Sequence, residues 1–118
     1  MRVQLEAQSL RLRIDETELA QLLSGGTVQN RTELPDGRIE TQGVRLASDL
    51  AWRRDDATWL IDLPETDVRA LSERLPSRDG LQFSLPASHG TALRLLFDID
   101  VRDSTRKRMR KSSEGQRS

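Results

Sequence analysis

The stretch Ser9-Leu10-Arg11-Leu12-Arg13-Ile14-Asp15-Glu16-Thr17-Glu18-Leu19 decides how this chain is read, because its apolar spacing changes at Asp15. Leu10, Leu12 and Ile14 alternate with Arg11 and Arg13, the pattern of a half-buried strand. Asp15 then offers an N-cap with Glu18 at the capping-box position, and Leu19, Leu22 and Leu23 follow at helical spacing until Gly25-Gly26 stops the turn. Upstream, Val3 and Leu5 alternate with Arg2 and Gln4, so a hairpin turning around Ala7-Gln8-Ser9 precedes the short helix.

The same succession returns later in the chain. At an offset of 49 residues, Leu10, Leu12, Ile14, Glu16, Thr17, Glu18, Leu19 and Leu22 meet Trp59, Ile61, Leu63, Glu65, Thr66, Asp67, Val68 and Leu71, and Val3 meets Trp52. After four extra residues near the second helix the offset becomes 53, where Val28, Asn30 and Gly37 meet Leu81, Phe83 and Gly90. An internal duplication produces this pattern, and so do two units that merely share binary patterning.

Working outward, extended runs over Thr27–Leu34 and Arg38–Leu46 flank the turn Pro35-Asp36-Gly37, with a bulge expected at Gly43, where the alternation slips. Leu50–Arg53 and Thr58–Leu63 form a hairpin across Asp55-Asp56-Ala57. A helix over Glu65–Leu75 ends at Pro76, and strands carrying Leu81, Phe83, Leu85 and then Leu93, Leu95, Phe97, Ile99, Val101 complete the order. The expected fold is therefore α+β: two ββαββ halves forming a curved or barrel-like antiparallel sheet of about eight strands with two helices. Its core should include Val3, Leu12, Ile14, Leu19, Leu22, Trp59, Ile61, Leu71, Phe83, Leu95 and Phe97.

Charge divides the chain near Val101. Residues 1–101 hold 12 basic and 17 acidic side chains, net −5, whereas 102–118 hold 7 and 2, net +5. The first part is expected to be a single domain. The second has Met109 as its one large apolar residue and reads as a basic, disordered tail. Its run Arg106, Lys107, Arg108, Met109, Arg110, Lys111 is either a solvated arm or a sequence-independent contact for nucleic acid or another polyanion.

Composition excludes several chemistries. The 118 residues include no Cys, no Tyr and one histidine, His89, so thiolate nucleophiles, disulfides and His or Cys clusters for zinc are ruled out. Lys107 and Lys111 are the only lysines, which leaves residues 1–101 without a Schiff-base amine or phosphate-loop lysine. Apolar runs reach three residues, as in Trp59-Leu60-Ile61, far short of the roughly 20 of a membrane span. No membrane contact and a cytoplasmic location are expected.

The segment Gln8-Ser9-Leu10-Arg11-Leu12-Arg13-Ile14-Asp15-Glu16-Thr17-Glu18-Leu19 resembles the opening of a family of short uncharacterised bacterial proteins. The resemblance continues through the second helix after Leu63-Pro64 and into the last strand with Asp98 and Asp100, covering roughly residues 1–101. It implies no activity, cofactor or partner. The long basic tail departs from the family's pattern.

Candidate chemistry lies on the charged strand faces. Arg11 and Arg13 share one side of their strand, and Arg94, Asp98 and Asp100 share one side of theirs. If the two sets face a common groove, Arg11, Arg13 and Arg94 could hold a phosphate-bearing ligand, with Asp98 and Asp100 on a divalent metal. The simpler alternative is a set of cross-strand ion pairs. Gly25-Gly26 follow a helix and read as its C-terminal stop, Ser88-His89 in a turn lack the geometry of a nucleophile and base, and Trp52 with Trp59 read as a cross-strand core pair. The residues thus favour a small non-enzymatic module for a macromolecular partner, with no cofactor expected and no catalytic residue assigned.

Overall fold

The structure, a computed structural model, describes residues 1–77 and 79–101. The tail residues Arg106, Lys107, Arg108, Arg110 and Lys111 lie outside the described residues. The strands are β1 (Arg2–Glu6), β2 (Ser9–Asp15), β3 (Val28–Glu33), β4 (Ile39–Ala47), β5 (Ala51–Asp55), β6 (Thr58–Pro64), β7 (Leu81–Pro86) and β8 (Ala92–Asp100). Helix α1 (Glu16–Leu23) follows β2 and α2 (Glu65–Glu73) follows β6. No described helix is long and apolar enough to cross a membrane.

Local chemistry sets the helix ends. Glu18 N–H donates to Asp15 Oδ1 at 2.7 Å and Asp15 N–H donates to Glu18 Oε1 at 3.1 Å, a reciprocal capping box. Gly25 closes α1 at φ +93°, a conformation that costs a Cβ-bearing residue about 1–2 kcal/mol. Helix α2 starts after Pro64 without a side-chain cap and ends at Glu73, two residues before the expected Leu75. Its Arg69 bonds Glu65 one turn back and donates to Leu23 O at 3.0 Å, tying the two helices together.

The strands do not form one antiparallel sheet. They form two four-stranded sheets: sheet I in the order β1-β2-β8-β7 and sheet II in the order β3-β4-β6-β5. Each hairpin is antiparallel, but the central pairs β2·β8 and β4·β6 run parallel. Every sheet therefore takes one hairpin from each half of the chain. The two halves match to the residue: an offset of 49 carries β1 and β2 onto β5 and β6, and an offset of 53 carries β3 and β4 onto β7 and β8. The turns match as well, with Ala7 and Asp56 at φ +49° and +54°, and Gly37 and Gly90 at +85° and +80°.

The core lies between the sheets, against the helices. Helix α1 touches β2 and β8 of sheet I and β3 and β4 of sheet II, while α2 touches β4 and β6 as well as β7. Leu10, Leu12, Ile14, Leu95 and Phe97 of sheet I meet Val44, Ile61 and Leu63 of sheet II around Leu22, Val68 and Leu71, all within 1% of full burial. At about 1.5–3 kcal/mol per side chain, this burial is the main driving force. Of the eleven expected core residues, eight are buried and Val3, Trp59 and Phe83 pack partly buried against them. Gly43 is not a bulge, because β4 keeps one continuous register with both β3 and β6 through it. The alternation slips at Ile39, which lies on the outer side of β4 beyond the reach of β6 and is exposed.

Candidate functional site

The parallel central pairs place charges on the outer faces of both sheets. In sheet I, Arg13 lies opposite Asp98 across β2·β8; in sheet II, Arg45 lies opposite Asp62 across β4·β6. The offsets that superpose the halves equate Arg13 with Asp62 and Asp98 with Arg45. The same slot is thus filled with opposite polarity.

The two fillings differ in quality. Asp62 is 8% exposed and is held from both flanking strands: Arg45 Nε donates to Oδ1 at 2.8 Å and Arg53 Nη2 donates to Oδ2 at 3.0 Å. Both oxygens are satisfied by charge-assisted bonds. Asp98 receives two arginines from one strand, and both approach the same oxygen, Arg11 Nε at 3.1 Å and Arg13 Nη2 at 3.8 Å from Oδ2. Neither approach has hydrogen-bond geometry, and Arg13 Nε and Asp98 Oδ2 are both buried without a hydrogen-bond partner among the described residues. On the other side of Asp98 sits Gly80, where an added Cβ would come within 2.2 Å of Phe97 O and 2.3 Å of Asp98 Oδ1. Only glycine fits there.

Of the residues expected to form a ligand site, the structure brings Arg11, Arg13 and Asp98 together. Arg94 lies opposite Ser9, four residues from Asp98 along β8, in a shallow depression with Gln8, Gln82 and Ser84. It does not join the cluster. Asp100 lies opposite Asp15. Among the described residues no three His, Asp or Glu side chains gather as a metal-holding group, and Asp98 is engaged by arginines. Composition and strand parity did not single out Arg45, Arg53 and Asp62. The repeat offsets carry the signal for them, since they set Asp62 against Arg13 and Arg45 against Asp98.

A second feature opens where the sheets meet at one end. Trp52 on β5 is not buried but 38% exposed, and it leans edge-on against Trp59 with ring centroids 5.8 Å apart and planes at 61°. The strand register pairs Trp52 with Ile61 and Arg54 with Trp59, so the tryptophans are diagonal neighbours and only one reaches the core. Trp52, Leu85, Pro86, Ala87 and Leu93 line a groove of about 760 Å³ with Gln8 and Ser88. Both β5 and β7, which contribute to it, are sheet edges. Ser88 and His89 sit exposed in the β7–β8 turn beside it.

Compared with known proteins, the chain matches no protein-family model and no curated protein.

Proposed function

We propose that this chain is a small non-enzymatic binding module that takes an extended apolar segment of a partner protein into the Trp52 groove. What supports this reading is a contrast between two equivalent places. The repeat offsets equate Trp52, Leu85, Pro86 and Leu93 with Val3, Thr32, Glu33 and Glu40. Three of these four equivalents are polar, so folding does not call for an apolar groove at this end. Deeper in, Phe83 and Leu95 stand where sheet II has Asn30 and Gln42, which bond each other at 2.9 Å. An exposed tryptophan over aliphatic walls is the composition of an interface anchor.

The occupant's form follows from the walls. Edge strands β5 and β7 offer unpaired backbone donors and acceptors to an extended segment, and alternate side chains of that segment would enter the groove. Arg54, exposed two residues beyond Trp52 on the same side of β5, favours an acidic residue next to the apolar ones. The test is selection of a random decapeptide display library on the intact chain, with the winners titrated against wild type and Trp52→Ser. Enriched peptides should alternate apolar residues, carry an acidic neighbour and bind Trp52→Ser at least about tenfold more weakly. A selection that enriches nothing, or winners that ignore the substitution while the variant's melting temperature stays near wild type, overturns the reading.

A further inference from the structure

The outer face of sheet I gathers three arginines around one point. Arg2 lies directly opposite Arg13, and Gln4 opposite Arg11, across the β1·β2 pair. These four side chains line a recess whose roughly 20 Å³ is open to the centres of water-sized atoms, about the span of one tetrahedral oxyanion. Like charges placed directly across a strand pair repel, and nothing in the backbone requires an arginine at residue 2. The equivalent position in sheet II is Ala51, and the equivalent of Arg11 is Leu60. Asp98 is the carboxylate that Arg11 and Arg13 approach within 4 Å, so three guanidinium groups gather beside one paired anion. Among the described residues Arg2 has no ion-pair partner, and Arg13 Nε is withdrawn from water with nothing to donate to.

We propose that this recess binds a phosphate group, either inorganic phosphate or the terminal phosphate of a monoester, between Arg2, Gln4, Arg11 and Arg13. Charge sets the class. At the recess itself Arg2, Arg11 and Arg13 with the paired Asp98 carry +2, which a phosphate dianion neutralises and a carboxylate does not, while Glu6, Asp15 and Asp100 stand a step further along their strands. Geometry agrees, because planar guanidinium forks and a side-chain amide present several donors to tetrahedral oxygens. Arg13 Nε gains an acceptor, and the Arg2–Arg13 repulsion becomes a shared clamp on one ligand. No step of bond making or breaking is involved, and the site is independent of the Trp52 groove on the other side of the sheet.

The experiment is calorimetric titration of the intact chain with inorganic phosphate, with glycerol phosphate and with acetate, at matched ionic strength. Arg2→Gln serves as the main variant, because Arg2 makes no contact with Asp98 and its loss leaves the Arg11 and Arg13 pairing in place. Arg31→Gln, at an exposed position of β3 in the opposite sheet, is the control. Saturable binding of either phosphate probe, weakened about tenfold or more by Arg2→Gln and unchanged by Arg31→Gln, is the expected result. If only glycerol phosphate binds, the ligand is an ester rather than the free ion. Absence of saturable binding by both probes at about 10 mM, equal binding of acetate, or undiminished binding by an Arg2→Gln chain that melts like wild type each overturns the proposal.

Discussion

Asp62 and Asp98 are the acidic members of equivalent central strand pairs in two sheets built alike, yet one is fully clamped and the other is not. The difference comes from where the arginines stand. Asp62 on β6 has arginines on both neighbours, Arg45 on β4 and Arg53 on β5, so each oxygen takes its own donor. Asp98 on β8 has Arg11 and Arg13 both on β2, and the close approach of Gly80 occupies its other flank. The slot across a parallel central pair thus demands opposite charges without dictating which strand carries which sign. Whether the pair closes depends on the outer strands.

The comparison can be broken most severely at the glycines beside it. Gly80→Ala should cost about 3 kcal/mol, because its Cβ would meet the Phe97 carbonyl, whereas Gly43→Ala in sheet II should fall within about 1 kcal/mol, its nearest neighbours being 3.5 Å away. Urea midpoints at unchanged slope measure both, and equal losses would show that the crowding at Asp98 is not what sets the sheets apart.

Next in size is the clamp itself. Asp62→Asn should lose about 2 kcal/mol by weakening two charge-assisted bonds, and Asp98→Asn under about 1 kcal/mol, since its arginines, no more exposed than those on Asp62, are poorly aligned and share one oxygen. A double-mutant cycle sharpens this. Coupling of about 1–2 kcal/mol is expected for Arg45 with Asp62 and about 0.5 kcal/mol or less for Arg13 with Asp98. The reverse order would contradict the geometric account.

The smallest effects are expected at the matched turns. Ala7 and Asp56 share positive φ, but Asp tolerates that region better than Ala. Ala7→Gly should therefore stabilise by about 1 kcal/mol and Asp56→Gly by about 0.3 kcal/mol, read from thermal melts. Equal gains would mean that the turns differ in some respect beyond φ.

How much of this was legible in the chain depends on the range of the interaction. Hairpins, helix starts and core faces are local, so alternation and the Asp15–Glu18 cap locate them within a residue or two. The partner of each hairpin is not local. An apolar face states that Leu12 is buried but not that it lies beside Phe97, so the sequence pattern leads to a single antiparallel sheet where the halves are joined by the parallel β2·β8 and β4·β6 pairs. The same gap hid the clamp around Asp62. Arg11 with Arg13 was visible as a cationic stripe, but Arg2 completes it only through register, and Arg94 drops out because β8 carries it well past Asp98.

The sharing of sheets between halves also bears on chain order. Arg2 at the start of β1 and Asp98 near the end of β8 both flank Arg13, so the outer ends of the two halves lie at one end of sheet I, about 10 Å apart across two strand spacings. In sheet II the corresponding ends, Ala47 of β4 and Ala51 of β5, are joined by only Ser48, Asp49 and Leu50. A bridge of that length could join Val101 to Met1 equally well. A rearranged polypeptide that opened at Asp49 and ran β5 to β8 before β1 to β4 would meet every strand partner in its present register, which makes the direction of reading through the two halves a matter of covalent accident rather than of architecture.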